Sequence, residues 1–173
     1  MTDPTTSAPA GALQRAIDRI GALTIAIAAI ALIGLVIVQS WQVFTRYVLN
    51  DSPSWTEPMT LLLLSTAMSL GAAAGVHTNR HFGFVLLAEH VRPAIRKLFE
   101  LVNPLVIATI GVVVAGWSAL LLADGWSVKI AGAPMPQSIN FLPLSVGGAL
   151  MVLFALHRLV LALGGPSGRR EPG

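Results

Sequence analysis

The run IGALTIAIAAIALIGLVIV, Ile20 to Val38, holds no charged residue and a single hydroxyl, that of Thr24. At about 1.5 Å per residue, a helix of this length just crosses a hydrocarbon layer of about 30 Å. Arg15 and Arg19 precede it, as basic residues precede a secretory leader. The run is too long for a leader's apolar stretch, however, and no small-residue cleavage site follows it cleanly. It is expected to stay in the protein as a spanning helix.

Working outward, the whole chain has the same character. Of its 173 residues 54% are hydrophobic and 11% charged, whereas ordinary soluble domains carry about 25% charged residues. Three more apolar segments follow: Met59 to Val76, Leu101 to Ala123, and Ile139 to about Leu156, the last extending to Leu163 with His157 and Arg158 at its foot. The expected fold is all-α, an integral membrane four-helix protein with spans near 20–38, 59–76, 101–123 and 139–158 inside a membrane domain of residues 15–163. Residues 1–14 and 164–173 read as flexible tails. Asn103-Pro104 reads as a capping residue and first-turn proline of the third span, with an interior kink as the alternative. DGWSVKIAGAPMPQS, residues 124–138, is rich in Gly, Pro and Ser and ends that span.

Between the second and third spans lies HFGFVLLAEHVRPAIRK, residues 81–97. Phe84, Leu87, Ala88 and Val91 share one helical face, while His81, Glu89, His90 and Arg92 lie off it. This predicts a short amphipathic interfacial helix between helices two and three, flat on the membrane surface over residues 81–91. The alternative is an extension of a span into water.

The basic residues fix an orientation. Arg15, Arg19, Arg80, Arg92, Arg96, Lys97, Arg158, Arg169 and Arg170 fall in the tails and the middle connection; only Arg46 and Lys129 fall in the other two loops. That split of nine to two places both termini in the cytoplasm and the connection after the first span outside, the periplasm of a two-membrane bacterium.

Several function classes drop out. A net charge of +3 without a basic, aromatic-lined face does not make a nucleic-acid binder. With no cysteine, disulfides, thiolate metal sites and thiol catalysis are excluded. The span centres hold no Asp, Glu, Lys, Arg, His, Asn or Gln, so an autonomous pump, channel or carrier lacks groups to replace hydration. Ser65, Thr66, Ser69, Thr109 and Ser118 are the main polar residues there, and hydroxyls of this kind usually bond to their own backbone. His77 and His81, spaced i, i+4, are compatible with two ligands of a metal site. The alternative function is therefore a small membrane enzyme or metal-binding membrane protein using that pair, although no third ligand is placed. No cofactor is implied.

What the spans do contain is small residues. GAAAG, Gly71 to Gly75, is a GxxxG motif that lets a neighbouring helix come close, and Gly111, Ala115, Gly116, Gly147 and Gly148 extend the pattern. Such a composition fits a protein that holds another membrane protein.

Between the first two spans stands RYVLNDSPSWTEP, Arg46 to Pro58. Trp41, Tyr47 and Trp55 bracket it at headgroup level, and Pro53 pushes Ser52 toward an extended shape. Thr56 is the expected N-cap of the second helix, with Glu57 and Pro58 in its first turn; a Ser54–Glu57 capping box is the alternative. The sequence leaves open whether Arg46 pairs with Asp51, Glu57 or a lipid phosphate.

RYVLNDSPSWTEP, the apolar span after it and GAAAGVHTNRHFGFVLL together resemble the small membrane subunit of tripartite ATP-independent periplasmic (TRAP) transporters, the DctQ-like permeases. Arg46, Tyr47, Trp55, Thr56, Glu57, Gly71, Ala72, Arg80 and His81 match the family pattern in order and approximate spacing. Pro58 stands where the family often has a second acid, so no role resting on paired acids is carried over. The resemblance implies an obligate large membrane subunit that carries the substrate and sodium sites and moves like an elevator. It also implies transient contact with a soluble periplasmic protein that delivers the substrate, often a carboxylate-bearing compound. The candidate residues for contact with a partner or with lipid are Arg46, Tyr47, Trp55, Glu57, Gly71, Gly75, Arg80 and His81.

Overall fold

A computed structural model describes residues 8–51, 53–78, 93–130 and 135–163. Four helices follow one another: α1 (Ala8–Tyr47), α2 (Thr56–Thr78), α3 (Pro93–Asp124) and α4 (Leu142–Leu163), the last entered through a short 3-10 helix, Gln137–Phe141. All four are long and apolar enough to cross a membrane. Extended pairing among the described residues amounts to one isolated bridge, Lys129 with Pro136. The protein is an all-α, multi-pass membrane protein. The stretch expected to form the surface helix, 81–91, and the tail at 164–173 lie outside the described residues.

Two helices are longer than their apolar runs. α1 has 40 residues, or about 60 Å, roughly twice the hydrocarbon thickness. It starts at Ala8, inside the stretch read as a tail, and after Pro9 in its first turn no proline interrupts the sequence before Pro53. It stops where Asn50 turns left-handed, with φ 51°, and the Asp51 N–H closes back on the Thr45 carbonyl at 3.1 Å. Asparagine is among the few residues that adopt this conformation at little cost. α3 starts at Pro93, so Pro104 is an interior proline rather than the first-turn proline expected from Asn103-Pro104. PAIRKLFE continues the helix backward from the apolar run, and the first-turn position belongs to Pro93, where a missing N–H breaks no bond.

In space the order is α1–α2–α4–α3. α1 and α2 are antiparallel: Gln39 meets Thr60, Leu63 lies against Gly34, and Asp18 meets His77. α2 and α4 run parallel, Ser69 meeting Pro143 and Val76 meeting Arg158. α4 returns antiparallel to α3, with Val152 over Gly111 and Gly148 against Ala115.

The packing is that of a protein whose solvent is lipid. Ile30, Val113 and Val160 are exposed, whereas the buried core consists of Ile17, Ala73, Val76, Ala108, Phe154 and Ala155. Lipid tails are as apolar as leucine, so close backbone approach and interhelical hydrogen bonds must supply the attraction. Both are present. A Cβ at Gly147 would sit 2.7 Å from the Ser69 Cβ, and one at Gly148 would sit 2.8 Å from the Ala115 nitrogen. The Thr60 hydroxyl donates to Gln39 Oε1 at 3.1 Å, and the Ser69 hydroxyl reaches the Pro143 carbonyl at 2.8 Å.

Candidate functional site

The connection after α1 is built around one buried hydroxyl. Thr56 is fully buried, and its Oγ1 donates to the Pro53 carbonyl at 2.8 Å. It therefore does not cap α2 as expected. The first helical bond runs from the Met59 N–H to the Trp55 carbonyl at 3.3 Å, which gives the capping position to Trp55. The Pro53 carbonyl accepts both this hydroxyl and the Thr56 N–H, the latter at 3.3 Å, and bonding it lets the hydroxyl point inward. Glu57 and Pro58 do occupy the first turn, where a carboxylate meets the positive helix end and Pro58 leaves no N–H unpaired.

Around this turn the candidate side chains are displayed outward. Arg46 ends α1 in its last turn and is exposed, as are Tyr47, Trp55 and Glu57. Among the described residues no ion pair joins Arg46 to Asp51 or Glu57; the pair that does form is between His77 and Asp18. Trp41 and Phe44 stack at 6.0 Å beside them. The result is an exposed aromatic and cationic surface at this turn.

Gly71 and Gly75 lie one to two turns from the other end of α2, and a Cβ at either would meet open space. They belong to a stripe, Glu57, Leu61, Leu64, Met68, Gly71 and Gly75, that recurs every three or four residues and is exposed except at half-buried Gly75. The flanks of α2 are already occupied, by α1 at Thr60 and Leu63 and by α4 at Ser69 and Val76. Among the described residues the GxxxG motif is thus not used. Close contacts between helices fall instead at glycines such as Gly21, Gly111, Gly147 and Gly148. Arg80 and His81 lie outside the described residues.

His77, read as one half of a possible metal pair, is engaged in the bundle. Its Nε2 lies 3.6 Å from Asp18 Oδ1, its ring sits 4.9 Å from that of Phe154, and Gly21 leaves the space the ring fills. Its prospective partner, His81, is outside the described residues. Among the described residues no three His, Asp or Glu side chains converge.

The mid-span hydroxyls behave largely as expected. Thr66 bonds to the Leu62 carbonyl, Thr109 to that of Leu105, and Ser69 to that of Ser65. The second bond of Ser69, to Pro143, was invisible because its partner is 74 residues away. Arg158, counted only as a charge, donates from Nη1 to the Val76 carbonyl at 3.2 Å.

A family model described as "Tripartite ATP-independent periplasmic transporters, DctQ component" matches residues 35–165, well over half of the chain. The matched region takes in the α1–α2 connection, the exposed stripe of α2, and all of α3 and α4. No curated protein matches the chain.

Proposed function

The chain belongs to the DctQ component family of tripartite ATP-independent periplasmic transporters, and we propose that within such a transporter it braces the large membrane subunit during sodium-coupled uptake. The substrate is a small organic compound, carboxylate-bearing by family resemblance, delivered by a periplasmic binding protein. The chain resides in the bacterial inner membrane with both termini cytoplasmic, on the nine-to-two distribution of basic residues. A transporter component is not an enzyme class, and the candidate contact residues are docking residues rather than catalytic ones.

The observation that carries this reading is the open stripe on α2. Two glycines spaced for close helix approach face away from both neighbours, with no described residue where a side chain would go. The large subunit supplies the missing helix, meeting α2 at Gly71 and Gly75. At the other end of the stripe Glu57, with Arg46, Tyr47 and Trp55 close by along the chain, borders the contact at headgroup level. The amphipathic helix expected over residues 81–91 would set depth and tilt on the opposite leaflet.

Affinity purification in mild detergent tests this. The wild-type chain should retain a much larger membrane protein, and Gly71→Leu with Gly75→Leu should release it while the variant chain stays folded by its own thermal transition. Retention of the partner by a folded double variant would refute docking at this stripe.

A further inference from the structure

Two consecutive residues at the end of α2 are gripped by two residues one turn apart on α4. The His77 ring rests on Phe154 at 4.9 Å, and the Val76 carbonyl accepts from Arg158 Nη1 at 3.2 Å. Val76 lies in the last turn of α2, which ends at Thr78. Carbonyls there have no partner within the helix and together form its negative end. A guanidinium placed on one of them satisfies an orphan acceptor and neutralises that end. α1 closes the grip from the other side, through Asp18 on His77 and the space left at Gly21. Ile17, Val76, Ala108 and Phe154 pack beneath, so all four helices contribute to this one region.

α1 with α2 and α3 with α4 are hairpins of neighbouring sequence, and the α2–α4 contact is the principal seam joining them. Among the described residues hydrogen bonds cross that seam from Ser69 to Pro143, midway along α2, and from Arg158 to Val76 at its end. We infer that Arg158 is a positioning residue for transport: by bonding the Val76 carbonyl at the end of α2, it holds the two hairpins in one register. It touches neither substrate nor ion. The inference rests on the reading of the chain as a brace, because a brace that slides along its own seam cannot hold its partner still. The competing role is that of an orientation anchor, one more positive charge on the cytoplasmic side.

The two roles separate if the charge is moved. Arg158→Leu combined with Leu161→Arg keeps the count of basic residues and shifts the charge to an exposed position. The chain has no cysteine, so spin labels can be placed at Thr78→Cys and Val160→Cys, both exposed, without a cysteine-free background. Distances are measured in the purified complex and uptake in reconstituted vesicles. The wild type should give one narrow distance distribution. The charge-relocated variant should broaden it and lower initial uptake about threefold or more, the change in register population expected from losing one interhelical bond, with the large subunit still co-purifying. Arg158→Lys, which keeps a donor near Val76, should recover part of the uptake. Wild-type uptake or an unchanged distribution in the relocated variant would overturn the positioning role. Failure of the unmodified chain to retain a large subunit would instead overturn the reading beneath it.

Discussion

Gly148 offers the sharpest test of how this bundle is held together. A Cβ there would lie 2.8 Å from the Ala115 nitrogen and 2.9 Å from the Gly111 carbonyl oxygen. Both are backbone atoms, so no side chain can rotate aside. The shorter contact falls about 0.6 Å below an ordinary 3.4 Å approach, so α3 must back away from α4 by about that much. Such overpacking costs about 1–3 kcal/mol. Alanine also favours a helix over glycine by about 1 kcal/mol, which would mask part of the loss. Gly71→Ala is the control, because it gains the same propensity and its new methyl meets open space. The difference between the two variants isolates the overpacking. For a chain of this size it corresponds to about 2–12 °C in Tm, with Gly148→Ala the lower. Thermal unfolding followed by tryptophan fluorescence in detergent reads it directly. Coincident transitions for the two variants would refute the claim that glycine contacts set the α3–α4 distance.

Other substitutions test the connection and the clamp. Asn50→Gly should be nearly neutral, whereas Asn50→Val should lower stability by about 1–2 kcal/mol through its left-handed backbone; equal transitions would mean that the turn relaxes. Thr56→Val removes the donor to Pro53 at almost constant volume and should cost about 1 kcal/mol, measured as a shift of the same thermal transition. Gly21→Val must displace the His77 ring, so a histidine side-chain NMR signal unchanged from wild type would contradict the packing described. Glu57→Gln should leave both assembly and uptake near normal if Glu57 serves only the start of α2; lost uptake with an intact complex would give it a role in transport.

The four apolar helices and their number were legible because long apolar runs are local signals. The extra length of α1 and α3 was not, since QSWQVFTRY and PAIRKLFE are polar enough to read as connection yet contain nothing that stops a helix. Pro104 misled for a related reason: proline signals a helix start only if the helix does not already exist upstream. The candidate contact residues were proposed by motif, but the sequence could not say which small residues the chain uses on itself. Gly147 and Gly148 look no different from Gly71 and Gly75 until the partner helices are in place. Arg158 and Ser69 were missed because their partners are backbone carbonyls, which every residue has and no sequence pattern marks.

The spatial order α1–α2–α4–α3 has a consequence for how the protein is made. Each hairpin can close as soon as its second helix leaves the ribosome, since its contacts are between neighbours in sequence. The seam cannot: Ser69 waits for Pro143, and the Val76 carbonyl waits for Arg158. Until α4 is synthesised, the finished α1–α2 hairpin carries an unclosed edge in the bilayer, bearing a serine and a bare helix end. A chain arrested after Asp124 is therefore expected to insert but to expose this edge to membrane quality control, which the arrival of α4 would close.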